Sequence, residues 1–133
     1  MRVMLDSNIL VSAIVFGSKP MLGIIERLAS KYSMVLCSYV IDETRRVFRE
    51  KFPKFTSNLE RFLIDVPFEM AHSPRILPKH DLFTIRDEKD EKILYSAILA
   101  DVDVLVTGDK DLLVVENVER PEILSHLDFL NKY

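Results

Sequence analysis

The chain has 133 residues, with 18 Lys and Arg against 21 Asp and Glu and a net charge of −3. That length predicts one domain with a real core, and 48% apolar residues with three glycines and six prolines exclude a disordered, collagen-like or low-complexity chain. Net acidity argues against a protein that works by coating nucleic acid, and the longest apolar stretch, 9–17 with Ser12 inside it, is too short for a membrane span. This stretch follows Asp6 without a cleavage-site pattern, so it does not read as a secretory signal. One cysteine, Cys37, cannot close an internal disulfide, which predicts a reducing, cytoplasmic setting.

In chain order, Arg2–Leu5 reads as a short buried strand ending at Asp6-Ser7-Asn8. The apolar run 9–16 fits strand or helix by period alone, and a strand-turn-helix reading makes Ser7 or Asn8 the cap. Residues 20–31 predict a helix with Pro20 in its first turn. Its apolar face is Met21, Leu22, Ile24, Ile25, Leu28 and Ala29. Residues 34–37 read as a second buried strand. Ser38 is the expected cap of a helix over 38–50, with Val40, Ile41, Thr44, Val47 and Phe48 inward and Pro53 breaking it. Leu59, Phe62, Leu63 and Val66 predict another helix, and 67–71 a third strand. Residues 72–86, with Pro74 and Pro78, form the longest irregular stretch.

Helical period returns over 91–100 through Ile93, Leu94, Ala97 and Ile98. The clearest strand is 103–107, closed by Gly108 and Asp109. Short apolar runs follow at 112–115 and 122–124. Ser125 then caps a last helix with Leu127, Phe129 and Leu130 inward. Strands alternating with helices of this length predict one α/β domain with a mainly parallel sheet and crossover helices.

In such a sheet, function gathers beyond the carboxyl ends of the strands, where strand order reverses. Asp6 and Asp109 both follow apolar strands, while Asp90 and Glu43 lie early in helices. Capping and helix-dipole pairing are the ordinary roles of acids at helix starts. Four carboxylates drawn together would repel one another unless a hard divalent cation joined them. Mg²⁺ or Mn²⁺ prefers such oxygen ligands, and a water on the ion is acidified for attack on a phosphodiester. Asp6, Glu43, Asp90 and Asp109 are therefore the candidate metal ligands and catalytic residues.

These residues stand in segments that carry a resemblance. Met4-Leu5-Asp6-Ser7-Asn8-Ile9-Leu10-Val11-Ser12-Ala13 resembles the opening of a PIN domain, the PilT N-terminus family. Val104-Leu105-Val106-Thr107-Gly108-Asp109-Lys110-Asp111-Leu112-Leu113 resembles that family's late motif. Asp87-Glu88-Lys89-Asp90 is similar to its acidic segment, and Glu43 to its mid-chain glutamate. The likeness runs on through residues 121–130 and is nearest to the VapC-like toxins of toxin–antitoxin pairs. It implies a three-layer α/β/α fold and an endoribonuclease using Mg²⁺ or Mn²⁺, held by Asp6, Glu43, Asp90 and Asp109. It also implies an RNA substrate, a cognate antitoxin and a homodimer, with the apolar 9–16 and 21–28 faces as candidate contacts.

By the same likeness, Asn8 hydrogen-bonds a water or a ligand carboxylate, and Thr107 orients Asp109. The chain departs from the family pattern in three places. Ser7 stands where Thr is frequent, and Glu88 and Lys89 where Pro or Asp are common. Asp87 competes with Asp90 as third acid, and Asp111 reads as a fellow ligand of Asp109 or as a turn or capping aspartate.

Arg45, Arg46 and Arg49, with Lys51 and Lys54 beyond, are RNA-phosphate candidates or a solvated helix face, and Lys110 is a phosphate candidate by position. Phe48, Phe52 and Phe55 read as core. His72, His80 and His126 lack zinc-ligand spacing with Cys37, and no phosphate-cradling glycine loop exists. Two other readings stay open: a catalytically silent PIN-like module that binds RNA or protein, and a phosphatase with Asp6 as nucleophile. The second would want an aspartate two residues on, where Asn8 stands.

Overall fold

Five short strands form one sheet: β1 (Arg2–Leu5), β2 (Ser33–Cys37), β3 (Glu69–Ala71), β4 (Val104–Val106) and β5 (Glu122–Leu124). Their order is β3-β2-β1-β4-β5, and every pairing is parallel. The structure is a computed structural model and describes residues 1–133. Seven helices complete it: α1 (Ser7–Ile14), α2 (Lys19–Ser30), α3 (Ser38–Lys51), α4 (Thr56–Asp65), α5 (Glu88–Leu99), α6 (Lys110–Leu113) and α7 (His126–Lys132). The helices enclose the sheet in a three-layer α/β/α arrangement. A 3₁₀ turn at Pro53–Phe55 separates α3 from α4.

The three central strands are apolar without alternation because both faces are covered. Val3, Met4, Leu5, Met34, Val35, Leu36, Cys37, Val104, Leu105 and Val106 are all buried. The chain starts in the middle at β1, builds outward through β2 and β3, then crosses back to β4 and β5. Strand order therefore reverses between β1 and β4, which lie side by side with Met4 opposite Leu105 and Leu5 opposite Val106. The Asp6 N–H extends this ladder onto the Val106 carbonyl at 3.1 Å.

Several local expectations are corrected. The 9–16 run is a helix, and its cap is Asp6 rather than Ser7 or Asn8. The strand ends at Leu5 as read, and the helix begins at once at Ser7, leaving Asp6 extended (φ −77°, ψ 158°) with its carboxylate accepting from Ser7 N–H. Ser38 lies inside α3, with Cys37 at the cap position. The helix read from 91 starts at Glu88, and Asp87 caps it by accepting from the N–H groups of Lys89 and Asp90. The 112–115 run begins two residues earlier as the short α6. Ser125 does cap α7, accepting from Asp128 N–H. Leu127, expected inward, is 58% exposed, and Leu22 on α2 is 46% exposed.

The apolar faces that suggested a contact surface are largely spent on the core. Ile9, Leu10, Ala13, Ile24, Ile25 and Leu28 are buried within the domain, which leaves Phe16 and Leu22 outside. No single helix is long and apolar enough to cross a membrane; α1 and α2 together meet that length but are bent by 111°.

The irregular 72–86 stretch is tied down at its start by a buried serine. Ser73 Oγ accepts from Tyr39 N–H at 3.2 Å and from the Ser96 hydroxyl at 2.9 Å, while its own N–H donates to Ser38 Oγ at 2.9 Å. One residue thereby joins the first turn of α3 to the middle of α5, and satisfies one of the N–H groups a helix start leaves orphaned. Replacing Ser73 by Ala is expected to lower stability by about 1–2 kcal/mol, read as an earlier urea midpoint with an unchanged slope. An unaltered midpoint would remove the tether from the structural account.

Candidate functional site

Asp6 leaves the end of β1 and is 1% exposed. Its Oδ1 accepts from Ser7 N–H at 2.6 Å, and its Oδ2 from the Thr107 hydroxyl at 2.8 Å. Thr107, just beyond β4, also accepts from Asp109 N–H at 3.0 Å through the same oxygen. A single hydroxyl thus orients the backbone of one acid and the carboxylate of another. Burial pushes the Asp6 carboxyl up from its ordinary range, opposed by the Thr107 bond, the Lys89 charge and the Ser7 N–H. With both oxygens engaged, Asp6 is placed as a fixed carboxylate rather than a free nucleophile.

Glu43 comes from the second turn of α3, where it faces inward between Val40 and Phe48, and is buried. Its Oε2 accepts from the Ser7 hydroxyl at 3.1 Å, and its Oε1 meets Lys89 Nζ at 3.0 Å. Neither Glu43 nor Asp90 serves as a helix cap. Burial pulls the Lys89 ammonium pKa down, but the Glu43 ion pair and the charges of Asp6 and Asp90 outweigh it, leaving it raised.

Asp90 is the odd member of the group. It stands in the first turn of α5 and is 1% exposed, yet neither carboxylate oxygen has a hydrogen-bond partner. Asp87, its rival in the sequence, is exposed and occupied as the cap. One carboxylate oxygen each from Asp90, Asp109 and Asp111 lie within 4.8 Å of one another. At an effective dielectric near 20, two unit charges at that separation repel by about 3 kcal/mol. Burial first, then the charges of Asp109, Asp87 and Asp6, push Asp90 up to about 7.

The four acids singled out by sequence therefore fall in two groups. Asp6 and Glu43 are bridged by Ser7, which donates its N–H to Asp6 and its hydroxyl to Glu43, while Asp90 and Asp109 gather with Asp111. The capping role considered for Asp111 belongs to Asp109, which accepts from Asp111 N–H at 2.8 Å. An all-oxygen donor set with a buried, unpartnered carboxylate fits a hard divalent cation.

Asn8 is exposed on the first turn of α1, and Lys110 is exposed at the start of α6. Arg45 grips Glu60 at 2.8 Å and Arg46 meets Glu50 at 3.3 Å, while Arg49 is exposed. Phe48 is core, and Phe52 stacks edge-on against it and Phe16. Beside the acids, a cleft of about 490 Å³ runs between the 81–86 segment and residues 114–117, with Arg86 and Asp111 in its walls.

The family model for the PIN domain matches residues 2–111. The chain belongs to the PIN domain family. A chain of the VapBC2 complex of Rickettsia felis, solved bound to a DNA fragment from its promoter, has a similar fold, with a TM-score of 0.70 and 20% identity. The match covers 94% of this chain and 98% of that one. No curated protein matches in sequence.

Two members of this PIN domain's site escape a reading of the sequence. In the sequence Ser7 stands out only as a cap candidate and as a departure from the family pattern, and Lys89 only as a departure from it. The structure turns Lys89 onto Glu43, one residue before buried Asp90.

Asp90 also gives the site a pH signature. Unfolded, a carboxyl loses its proton near pH 4, whereas folded Asp90 keeps its proton up to about 7. Its contribution to stability is thus progressively lost as pH rises between those values, and the loss persists above them. In metal-free protein, Asp90→Asn is expected to gain stability over the parent, with the gain at pH 8 exceeding that at pH 5 by on the order of 2 kcal/mol. Chemical denaturation at the two pH values checks this, and a pH-independent difference would contradict it.

Proposed function

We propose that this PIN domain is a divalent-metal-dependent endoribonuclease acting as the toxin of a toxin–antitoxin pair. The observation that carries the nuclease reading is buried Asp90, both oxygens unpartnered, facing Asp109 and Asp111 within 4.8 Å. Asp90, Asp109 and Asp111 would hold Mg²⁺ or Mn²⁺, with Asp6 and Glu43 completing the acid set. The ion, when bound, supplies an acidified water and a Lewis acid for RNA phosphodiester hydrolysis.

The remaining work falls to the chain. Thr107 holds Asp109 and Asp6 in register, so the acids keep their places without moving as the reaction proceeds. Asp90 would have to give up its proton to hold the cation, so affinity is expected to rise with pH through about 7. The cleft past Asp111 has the size of a small-molecule pocket and would give RNA a path to the acids, with exposed Arg86 in its wall to meet phosphate. The likeness in fold to a VapBC2 chain supports an antitoxin as protein partner.

With Mn²⁺ or Mg²⁺ present, the parent is expected to cleave single-stranded RNA and to stop on chelation. Asp109→Asn and Asp6→Asn are each expected to slow cleavage by about 100-fold or more, since loss of a ligand or of its orienting partner has effects of this order. Variants that cut as fast as the parent would end the enzyme reading. A parent that neither takes up metal nor cleaves would be the silent binding module instead.

A further inference from the structure

The acid site is electrostatically lopsided. In its Asp6–Glu43 half, every carboxylate oxygen has a partner. Asp6 Oδ1 takes Ser7 N–H, Asp6 Oδ2 the Thr107 hydroxyl, Glu43 Oε2 the Ser7 hydroxyl and Glu43 Oε1 the Lys89 ammonium. In the other half, both oxygens of buried Asp90 have none, with Asp109 and Asp111 close by. The ion pair on this half is Arg86 with Asp111, at 3.5 Å with the arginine side chain 89% exposed.

Lys89 is not a wandering surface lysine. Its own N–H is fixed to the Asp87 cap at 2.9 Å, so the first turn of α5 is anchored where the side chain departs. The side chain is one-third exposed, and it ends on a glutamate whose side chain is only 6% exposed. An ammonium is a compact point charge with three donors and no acceptor. A divalent ion seated on the same Glu43 oxygen would have to push that charge away.

We infer that Lys89 takes the place of a second cation in this site, so that one divalent ion binds per chain, at Asp90, Asp109 and Asp111, while Lys89 stays on Glu43. This rests on the metal-binding reading above and deepens it from a metal site to a site of fixed stoichiometry. Acids that would otherwise call for two metal ions are served by one ion and one tethered ammonium. Lys89 is a positioning residue here: it holds Glu43, and through Ser7 the Asp6 side.

The test is the amount of Mn²⁺ bound at saturation, by calorimetric titration and by metal analysis after equilibrium dialysis. The full chain is expected to take up one Mn²⁺, Lys89→Met two and Lys89→Arg one. A parent that binds two ions, or a Lys89→Met variant that still binds one, overturns the inference. A parent that binds none overturns the metal reading itself, so the two failures are told apart. A second measurement needs no variant. Acylation of Lys89 in the parent, followed by peptide mass spectrometry, is expected to stay as slow with saturating Mn²⁺ as without it. Faster labelling on metal addition means that the ion displaces Lys89 and overturns the inference.

Discussion

The parallel pairing of β1 with β4 is the constraint on which the site depends. These strands are separated by about a hundred residues of chain, yet they hydrogen-bond directly, and the ladder runs one residue past Leu5 onto Asp6. Because both strands point the same way, their carboxyl ends emerge together at the point where the sheet changes direction. Asp6 leaves one end and Thr107 the other, 2.8 Å apart at their side chains. Every other acid is then brought to this seam by a helix that starts or passes beside it.

Placement on rigid elements lets the protein keep charge where water would ordinarily be needed. Asp6 and Glu43 are buried, but Ser7, Thr107 and Lys89 supply donors for all four oxygens, so their desolvation is offset. Asp90 has no such help and sits at the centre of a repulsive group. A folded protein tolerates such an arrangement where the group serves something other than stability. The contrast between the satisfied half and the unsatisfied half carries more functional information than the number of acids does.

The net charge reads differently once the acids are located. Setting Asp6, Glu43, Asp90 and Asp109 aside from a net of −3 leaves the rest of the chain at +1. Acidity that argues against a nucleic-acid coat is thus concentrated at one seam. The basic stretch of α3, by contrast, is partly consumed internally, with Arg45 on Glu60 and Arg46 on Glu50. The segment 72–86 reaches the site through Ser73, which links the α3 start, near Glu43, to α5, the helix of Lys89 and Asp90.

Much of this was legible in the residues. Unalternating apolar runs at 3–5, 34–37 and 104–106 mark central parallel strands, because only a sheet covered on both faces buries every side chain. Acids directly after two of those runs mark the strand ends, and the ordered motifs name the family. Ser125 was legible as the cap of α7, but not every cap was: Asp6 rather than Ser7 caps α1, because the ladder to β4 holds Asp6 extended directly before the helix. Nor was the partition of the acids. Asp111 joins Asp90 and Asp109 while Lys89 claims Glu43, across 46 positions of sequence. Local pattern records which residues face inward along one element. Which inward-facing charge meets which is set by how separate elements pack, and that pairing exists only in the folded chain.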